Sequence, residues 1–571
     1  MLPKKNPFAF NAKARMKLCG FLCLIPPLAI GIRLFYMQTF LYDELSNKAD
    51  RAIYNFLKED RLRGQILDVN GNYLAESVRT HSCGINKRYV KDKEATISFL
   101  AENLPMPKRE IEKLWKEKGN FFFVAKKIKP DVYMKIRSVL RKPLGQGLDL
   151  TPEYERIHPY GTSALDILGE ANSKNKGLSG LELMYNDELS QDISKRRAKR
   201  ARRGEVIYDR SLKEEKSVGN IYLTIDALAQ HYAEAALDKA VQDYEPERGI
   251  IVVQEPSTGR ILAAASSPRE DGQALAFQFA YEPGSTFKTI SIASALDSGA
   301  VSTEDMIDMD GRKWEVAPRV VLQDKQHKEE ELSIADIMAL SSNIGAGKIA
   351  LELGSKNLFY YMKAFGFGTK TDINFNGESK GSVAPYSKWT KVDLASKGYG
   401  YGVLLTPIQL VSAYSAIANG GYLMQPHLVD RIEYANGKVD KKAKPQKIRR
   451  VLKESTTEQM KEILEYVVVE GSGKRAQIPG YGVAGKTGTA EKVSKEGGYA
   501  KRLHVVSFCG FTPIKDPRFT ILIILDNPKK YTFGGTAAAP IFKQVAEGLL
   551  TMYGVAPDQP EKLVQADAKK K

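Results

Sequence analysis

The sequence predicts an α+β protein with one N-terminal transmembrane helix, a polar N-terminal module, and a C-terminal domain that combines an antiparallel sheet with helices. The membrane helix is predicted by a long uncharged run near the N-terminus. The C-terminal domain is predicted by strand-like runs at both ends of residues 218–553, with helical patterns between them. This order is typical of α+β domains. We expect these parts in chain order: an N-terminal segment 1–17, a membrane span 18–41, an N-terminal module 42–217, the α+β domain 218–553 and a disordered tail 554–571.

The membrane span is predicted from residues 18–32, which carry no charge, and from residues 34–41, which continue the run after Arg33. About twenty apolar residues are enough to cross a bilayer. Five Lys and Arg without an acid precede the run, and such flanking charges stay in the cytoplasm. No small-x-small cleavage site follows, as a removed signal peptide would require. We therefore expect an uncleaved anchor, with the chain beyond Asp43 outside the cytoplasm.

A second basic cluster, residues 195–203, carries seven Lys and Arg. These two clusters supply twelve of the net charge of +17 on the 571-residue chain. Charge that is confined in this way does not by itself indicate nucleic-acid binding, and none is expected. The second cluster is interpreted as a solvated strip, or alternatively as a contact with anionic lipid or a partner membrane protein.

The N-terminal module is predicted to contain a hairpin and three helices. Residues 61–71 form a strand pattern that ends in an Asn-Gly turn, a strong hairpin signal. Helical patterns separated by prolines and glycines follow in residues 94–103, 107–118 and 131–141.

The α+β domain begins near Asn220 with a predicted hairpin of residues 249–255 and 260–265, joined by Pro-Ser-Thr-Gly. One helix is predicted at 285–298, closed by Gly299, and another begins at Ser333. The remaining predicted elements are the strands 483–492, 504–512 and 519–525 and an amphipathic helix 538–552.

The cysteines are scattered and lack a metal-binding spacing. The chain has neither a Cys-x-x-Cys pair nor a His-rich tract, so we expect no metal site, no cofactor and no disulfide framework. The four positions are Cys19, Cys23, Cys83 and Cys509.

Three short motifs carry the chemistry, in this order: Ser285-Thr-Phe-Lys288, Ser341-Ser-Asn343 and Lys486-Thr-Gly-Thr489. They supply a nucleophile, two proton carriers, a side-chain amide and a glycine-containing stretch of backbone, which together suit an acyl-transfer site. Because the chain has no plausible His-based triad, another base has to activate the serine.

Lys288 is the candidate base, because residues three apart share one face of a helix. Pro283 and Gly284 place Ser285 at the helix N-terminus, where free N–H groups favour a developing oxyanion. Ser-x-x-Lys is common by chance, and the chain contains a second copy, Ser173-Lys-Asn-Lys176, which we assign to a loop.

The other two motifs complete the predicted site. Ser341 is expected to relay a proton and Asn343 to hold the substrate amide, although a helix N-cap explains the same residue types. Gly488 allows the close backbone approach that a substrate lying along the sheet edge needs. The Thr489 N–H is expected to join that of Ser285 as an oxyanion donor. Lys486 adds positive charge for a carboxylate and helps to keep Lys288 neutral. An exposed edge strand is the alternative explanation of this last motif.

These motifs, in this order, resemble the penicillin-binding proteins and serine β-lactamases, and the wider match resembles class B penicillin-binding proteins from the anchor to about residue 553. The residues that carry the wider resemblance are Arg61-x-Arg-Gly-x-Ile-x-Asp-x-Asn-Gly71, Gly177-x-x-Gly-Leu-Glu-x-x-Tyr185, Tyr281-Glu-Pro-Gly-Ser-Thr-Phe-Lys288, Gly398-Tyr-Gly-Tyr-Gly402, Thr406-Pro-x-Gln-Leu410 and Ala418-Asn-Gly-Gly421.

The resemblance implies a penicillin-binding transpeptidase domain on a class B pedestal or dimerisation module. It implies a D,D-transpeptidase that cross-links peptidoglycan outside the cytoplasmic membrane. Ser285 would attack the bond between two terminal D-alanines, with Thr487 and Thr489 at the terminal carboxylate. The implied partners are stem peptides of nascent lipid II-derived strands, β-lactam antibiotics, a membrane glycosyltransferase and divisome proteins.

Within class B, the length is most similar to the cell-division (septal) enzyme, and the elongation enzyme is the alternative. A hydrolase, either a D,D-carboxypeptidase or a β-lactamase, is a second alternative, although a membrane anchor with a large N-terminal module argues against it. A non-enzymatic scaffold is the third.

Overall fold

The chain divides into two units, one of Met1–Arg61 with Asp192–Lys216 and one of Leu62–Gln191 with Ser217–Lys571. The basic cluster at 195–203 lies outside the described residues, except for the backbone of one short strand. The structure, a computed structural model, describes residues 12–42, 63–172, 175–190, 198–200, 206–208, 218–269, 272–324, 329–434, 436–440, 442–493 and 499–561.

The first unit contains the N-terminal helix, Ala12–Thr39. Within the described part of the chain, its segment Met16–Thr39 is the one helix of 18 residues or more that is apolar enough to cross a membrane, and none of its most apolar window is buried inside the protein. The predicted span 18–41 overlaps this segment. The same unit holds a short antiparallel pair, Ala198–Arg200 and Val206–Tyr208.

The centre of the second unit is a five-stranded antiparallel sheet whose strands were all predicted from their apolar runs. Every residue of its central strand, Phe519–Asp526, is buried, which fits a strand covered on both faces. The spatial order of the strands is Ala484–Val493, Tyr499–Thr512, Phe519–Asp526, Arg248–Gln254 and Ile261–Ser267.

Helices cover both faces of this sheet. Alternate side chains of a strand point to opposite faces, and apolar side chains on both faces need to be covered. Ile251 and Ile523 belong to the core that includes helices Ala227–Tyr244 and Gly534–Met552. Ile250 belongs to the core on the other side. The remaining helices of the region are Leu275–Gln278, Lys288–Ser298, Ile334–Ala339, Asn343–Leu353, Ser355–Ala364, Lys391–Gly398, Pro407–Ala418 and Glu454–Val469. Three short strand pairs complete it: Met306–Asp308 with Glu331–Ser333, Lys313–Ala317 with Val320–Gln323, and Tyr422–Met424 with Lys447–Arg450.

The last helix begins at Gly534 rather than at residue 538. A Cβ atom on Gly534 would lie 2.6 Å from the carbonyl oxygen of Gly488, so close packing requires glycine where helix propensity disfavours it. The predicted tail starts inside the folded domain, because the Asp558 carboxylate accepts hydrogen bonds from the backbone N–H groups of Gly482 and Ile514.

The N-terminal module is built on a seven-stranded sheet that also contains strands from the α+β region. Its three predicted helices are confirmed to within two residues, as Lys93–Asn103, Lys108–Glu117 and Pro130–Val139. Three short helices, Leu165–Leu168, Gly180–Met184 and Asn186–Leu189, follow. The sheet runs in the order Val439–Asp440, Val429–Tyr434, Gly219–Leu223, Ile66–Leu67, Tyr73–Asn86 and Phe121–Ile128, with Leu148–Ile157 also paired to Tyr73–Asn86.

A buried ion cluster joins two of the sequence motifs in this module. Arg63, which is 2% exposed, donates to the Glu182 carboxylate and to the carbonyl oxygen of Asn175 at 2.9 Å. Arg156 donates to the other oxygen of Glu182 at 2.7 Å. Glu182 itself has no exposed surface, so one carboxylate pairs with two arginines that the fold has removed from water.

Replacing Glu182 with alanine leaves both arginines without a charge partner, and we expect the free energy of unfolding to fall by about 3–5 kcal/mol. Urea unfolding of the detergent-solubilised protein, followed by circular dichroism, measures this. The matched control is Glu155→Ala, which breaks the half-exposed pair with Lys127 and should cost about 0–1 kcal/mol. Equal losses for the two variants would contradict the role of the buried cluster.

Candidate active site

Ser285 lies in a tight 3-10 turn, Gly284–Phe287, that leads directly into the helix Lys288–Ser298. The helix predicted at 285–298 is therefore present, with its first turn in the narrower form. Residues three apart eclipse each other in a 3-10 turn, so Ser285 and Lys288 share one side. Gly299 ends the helix with φ +74°, as its sequence position predicts.

Close backbone contact holds the serine turn against the strand that carries Lys486 to Thr489. Gly284 has φ +54°, and a Cβ atom there would lie 3.1 Å from the carbonyl oxygen of Thr489. A Cβ atom on Gly488 would lie 2.2 Å from the Ser507 hydroxyl. Gly488 thus permits close approach between two elements of the chain itself. From the sequence, the close approach at Gly488 was expected to be that of a substrate.

Lys288 is completely buried, and its amine donates hydrogen bonds to the second motif. Its Nζ lies 2.6 Å from the carbonyl oxygen of Ser341, 2.8 Å from Asn343 Oδ1 and 3.2 Å from the Ser341 hydroxyl. Burial, and next the positive charge of Lys486, hold the pKa of Lys288 well below its ordinary value, while Asp324 acts in the opposite direction. If the amine is neutral, it donates its two N–H groups to the Ser341 carbonyl oxygen and to Asn343 Oδ1. Its lone pair then stays available to accept a proton.

Lys486 also contacts the Ser341 hydroxyl. Its Nζ lies 3.0 Å from the Ser341 hydroxyl and 3.3 Å from the Thr487 hydroxyl. This amine also has no exposed surface, and burial lowers the pKa of Lys486 to about 7. The Ser341 hydroxyl therefore bridges two amines that titrate far below ordinary lysines, which is a short path for a proton.

The middle motif combines a strained residue with a helix cap. Ser341 has φ +58°, in the left-handed region, and such strain is common at functional sites. The cap is Ser342, whose hydroxyl accepts from the N–H of Gly345 at 2.9 Å and donates to the Asp324 carboxylate. Asp324 also accepts from the Asn343 N–H at 2.9 Å. Ser342 therefore caps the helix, while its neighbours Ser341 and Asn343 contact Lys288.

The third motif lies on the edge strand of the sheet, where its outer side is available. Lys486 donates to the Thr487 carbonyl oxygen at 3.1 Å, and the N–H of Glu491 donates to the Tyr401 hydroxyl at 2.9 Å. The Thr487 carbonyl group and the Glu491 N–H group therefore point away from the neighbouring strand. Because directions alternate along a strand, the N–H of Thr489 points outward as well, as an oxyanion donor requires.

The three motifs meet in one cleft of about 640 Å³. Ser285, Ser341, Asn343, Thr487 and Thr489 all line it. Lys288 and Lys486 lie behind this wall, reached through Ser341. Among the described residues, no cluster of His, Cys, Asp and Glu could hold a metal ion.

Two parts of the chain match models of known protein families. Residues 249–547 match the penicillin binding protein transpeptidase domain, and residues 58–223 match the penicillin-binding protein dimerisation domain. The chain belongs to the class B penicillin-binding proteins. Stage V sporulation protein D of Bacillus subtilis is 34% identical over 551 residues, which cover 93% of this chain and 84% of that protein.

Other similar proteins span nearly the whole chain. Peptidoglycan D,D-transpeptidase FtsI of Escherichia coli is 27% identical, over 95% of this chain and 92% of its own. The crystal structure of a peptidoglycan synthetase from Bifidobacterium adolescentis has a TM-score of 0.69 at 25% identity, over 88% of this chain and 97% of its own. Penicillin binding protein 3 of Mycobacterium tuberculosis, complexed with aztreonam, has the same fold, with a TM-score of 0.67 at 22% identity over 87% of this chain and 98% of its own.

Several cleft residues of this penicillin-binding protein were not identified from sequence. Asp324 accepts hydrogen bonds from Ser342 and Asn343 of the second motif. Ser472 lies with its hydroxyl 2.7 Å from that of Thr487. Arg475 and Phe533 line the cleft as well. None of them belongs to a recognisable motif, so only the distances between sequence-distant atoms identify them.

Replacing Lys486 with methionine should move the acidic limb of the acylation rate to higher pH. Lys288 accepts a proton only when neutral, so the rate falls as pH drops through its lowered pKa. Removing the neighbouring positive charge raises the pKa of Lys288, although burial still holds it below its ordinary value. The measurement is the rate constant for a fluorescent penicillin between pH 5 and 9. Lys474→Met, on the exposed cleft wall, should leave the midpoint in place, and an unshifted midpoint in the Lys486 variant would refute the coupling.

Proposed function

We propose that this protein is a peptidoglycan D,D-transpeptidase that cross-links stem peptides through an acyl-enzyme on Ser285. The observation that carries the proposal is the Lys288–Ser341–Lys486 bridge beside a serine at a helix N-terminus. Membership of the class B penicillin-binding proteins supports it, as do relatives that are named peptidoglycan D,D-transpeptidases.

Acylation begins when the Ser285 oxygen attacks the carbonyl carbon between the two terminal D-alanines of a stem peptide. Lys288 takes the hydroxyl proton as the new C–O bond forms. The negative oxygen of the tetrahedral intermediate is held by the N–H groups of Ser285 and Thr489. Asn343 positions the substrate amide, and Gly488 lets the serine turn lie beside the strand.

The intermediate collapses by breaking the C–N bond to the last D-alanine. The leaving nitrogen receives a proton through the Ser341 hydroxyl, which is replenished from Lys288 or Lys486. An amine of a neighbouring stem peptide then attacks the ester, loses a proton along the same path and releases Ser285. No cofactor takes part in either step.

Among the described residues one helix, near the N-terminus, is long and apolar enough to cross a membrane, which supports a single-pass membrane protein of this family. Its N-terminus lies in the cytoplasm and its catalytic domain outside the inner membrane, because basic residues precede the helix. Septal wall synthesis is the role that the FtsI relatives support, with a membrane glycosyltransferase and divisome proteins as partners. The elongation enzyme is the alternative.

Brief exposure to benzylpenicillin should add one antibiotic mass to the native protein and none to Ser285→Ala. Intact-mass analysis of the detergent-solubilised protein measures this. Ser163→Ala, in the N-terminal module, is the matched control and should label normally. An adduct on Ser285→Ala would exclude Ser285 as the nucleophile.

The adduct should persist for many minutes without loss of free antibiotic. The reason is that the acyl-enzyme ester of a transpeptidase reacts with an acceptor amine and is hydrolysed by water only slowly. Chromatography of the antibiotic in the same tube measures turnover. With polymerised lipid II, the expected products are cross-linked dimers and free D-alanine in equal amounts. Rapid antibiotic loss, or D-alanine without dimers, would favour the hydrolase instead.

A further inference from the structure

A buried tyrosine hydroxyl supports the serine turn from the side of the core. Tyr414 has no exposed surface, and its hydroxyl donates a hydrogen bond to the carbonyl oxygen of Thr286 at 2.7 Å. Because the tyrosine proton is directed to Thr286, the Thr289 hydroxyl, at 2.8 Å, donates to Tyr414. Thr286 and Thr289 directly follow Ser285 and Lys288 in the chain. Tyr414 therefore contacts the segment that carries both the nucleophile and the base.

The helix that carries Tyr414 is itself fixed to the central sheet. Every residue of this helix, Pro407–Ala418, is buried. Its Ser415 hydroxyl donates at 2.7 Å to the side-chain oxygen of Gln254, at the end of a central strand. Burial raises the pKa of Tyr414 well above its ordinary value, so the hydroxyl keeps its proton and remains a donor. The serine turn thus has a fixed partner on its buried side.

The turn needs support from outside because its own hydrogen bonding is weak. Gly284–Phe287 is a 3-10 turn, and hydrogen-bond geometry in such turns is poorer than in an α-helix. At its start, the Gly284 N–H lies 3.3 Å from the carbonyl oxygen of Gly400, which is long for a hydrogen bond. The bond from Tyr414 to the Thr286 carbonyl oxygen restrains the backbone directly after Ser285.

The two N–H groups that we propose as oxyanion donors belong to different elements of the fold. The Thr489 N–H lies on a strand that is fixed by pairing with its neighbour, whereas the Ser285 N–H lies on the turn. Both donors have to lie about 3 Å from the position of one oxygen atom. The position of the turn relative to the strand therefore decides how well the two donors act together.

We infer that Tyr414 is a positioning residue for acylation. Its hydrogen bond to the Thr286 carbonyl oxygen holds the serine turn in place against the edge strand, so that the two oxyanion donors act on one atom. The inference rests on the proposed function, because the acyl-enzyme on Ser285 is the reaction that these donors serve. Tyr414 is buried behind the turn and does not touch the substrate. It therefore stabilises the transition state without adding to substrate binding before the reaction.

The test replaces Tyr414 with phenylalanine in the full-length, detergent-solubilised protein. The ring still fills its place in the core, and only the hydroxyl is lost. The dependence of acylation on the concentration of a fluorescent penicillin gives the dissociation constant before reaction and the acylation rate constant. We expect the rate constant to fall by about 3- to 10-fold, the equivalent of one lost hydrogen bond between neutral groups. The dissociation constant should keep its native value.

The pH midpoint of acylation should also stay in place in Tyr414→Phe. The midpoint reports the protonation of Lys288, whose amine bonds to Ser341 and Asn343 and not to Tyr414. A lower rate at an unchanged midpoint is the signature of a misplaced turn with an intact base.

Tyr281→Phe is the matched control. Tyr281 is also buried and lies four residues before Ser285. Among the described residues, its hydroxyl has no hydrogen-bond partner. The same substitution at this position should therefore leave the dissociation constant and the acylation rate constant at their native values.

A double variant separates positioning from stability. Tyr414→Phe leaves the Thr289 hydroxyl in the core without its acceptor, which lowers the urea midpoint of unfolding. Adding Thr289→Val removes that hydroxyl as well, so the double variant should regain most of the native unfolding midpoint. Its acylation rate constant should remain as low as in Tyr414→Phe, because the bond to Thr286 is still absent.

The possible failures of the inference and of the proposed function are distinguishable. Suppose that native protein is acylated at Ser285. A native rate constant in Tyr414→Phe, a recovered one in the double variant, or an equal loss in Tyr281→Phe would then overturn the inference and leave the proposed function standing. If native protein is not acylated at Ser285, the proposed function fails, and the role of Tyr414 fails with it.

Discussion

The hydrogen-bonded bridge of Lys288, Ser341 and Lys486 is the arrangement on which the rest of the catalytic domain depends. Two amines without exposed surface share one hydroxyl, at 3.2 and 3.0 Å. Removing ammonium groups from water is costly, and the protein reduces this cost by letting the lysines titrate at lower pH. Burial of the two amines therefore opposes folding, and the same burial lowers their pKa values so that they can act as bases near neutral pH.

Connections that are distant in sequence hold this bridge in place. The serine helix carries Asp297, whose carboxylate accepts from the Lys453 N–H at 2.6 Å and from the Thr456 hydroxyl at 2.8 Å. Asp297 thus caps the helix Glu454–Val469, which has no side-chain cap of its own. That helix leads to Ser472 beside Thr487. The nucleophile and the cleft wall are consequently positioned by one set of contacts.

The N-terminal module is tied to the catalytic domain through a shared sheet as well as through its own core. Val429–Tyr434, from within the transpeptidase region, pairs antiparallel with Gly219–Leu223, which in turn pairs parallel with Ile66–Leu67. The Arg63–Glu182–Arg156 cluster lies next to these strands, because Arg156 also donates to the Gly64 carbonyl oxygen at 2.7 Å. Cooperative strand pairing makes this region of the module and the catalytic domain one compact unit.

The sequence by itself determined the elements and residues whose signals are local. Alternating and continuous apolar runs located the central strands, Gly299 marked the end of the serine helix, and the three motifs supplied the candidate nucleophile and bases. Only the tertiary structure decided that Ser342 is the helix cap, that Gly488 accommodates Ser507, and that Asp324 and Ser472 support the site. Periodicity records how a residue relates to its near neighbours along the chain. Contacts between residues far apart in the chain, and the burial that lowers the pKa of Lys486 to about 7, arise only when folding brings those residues together.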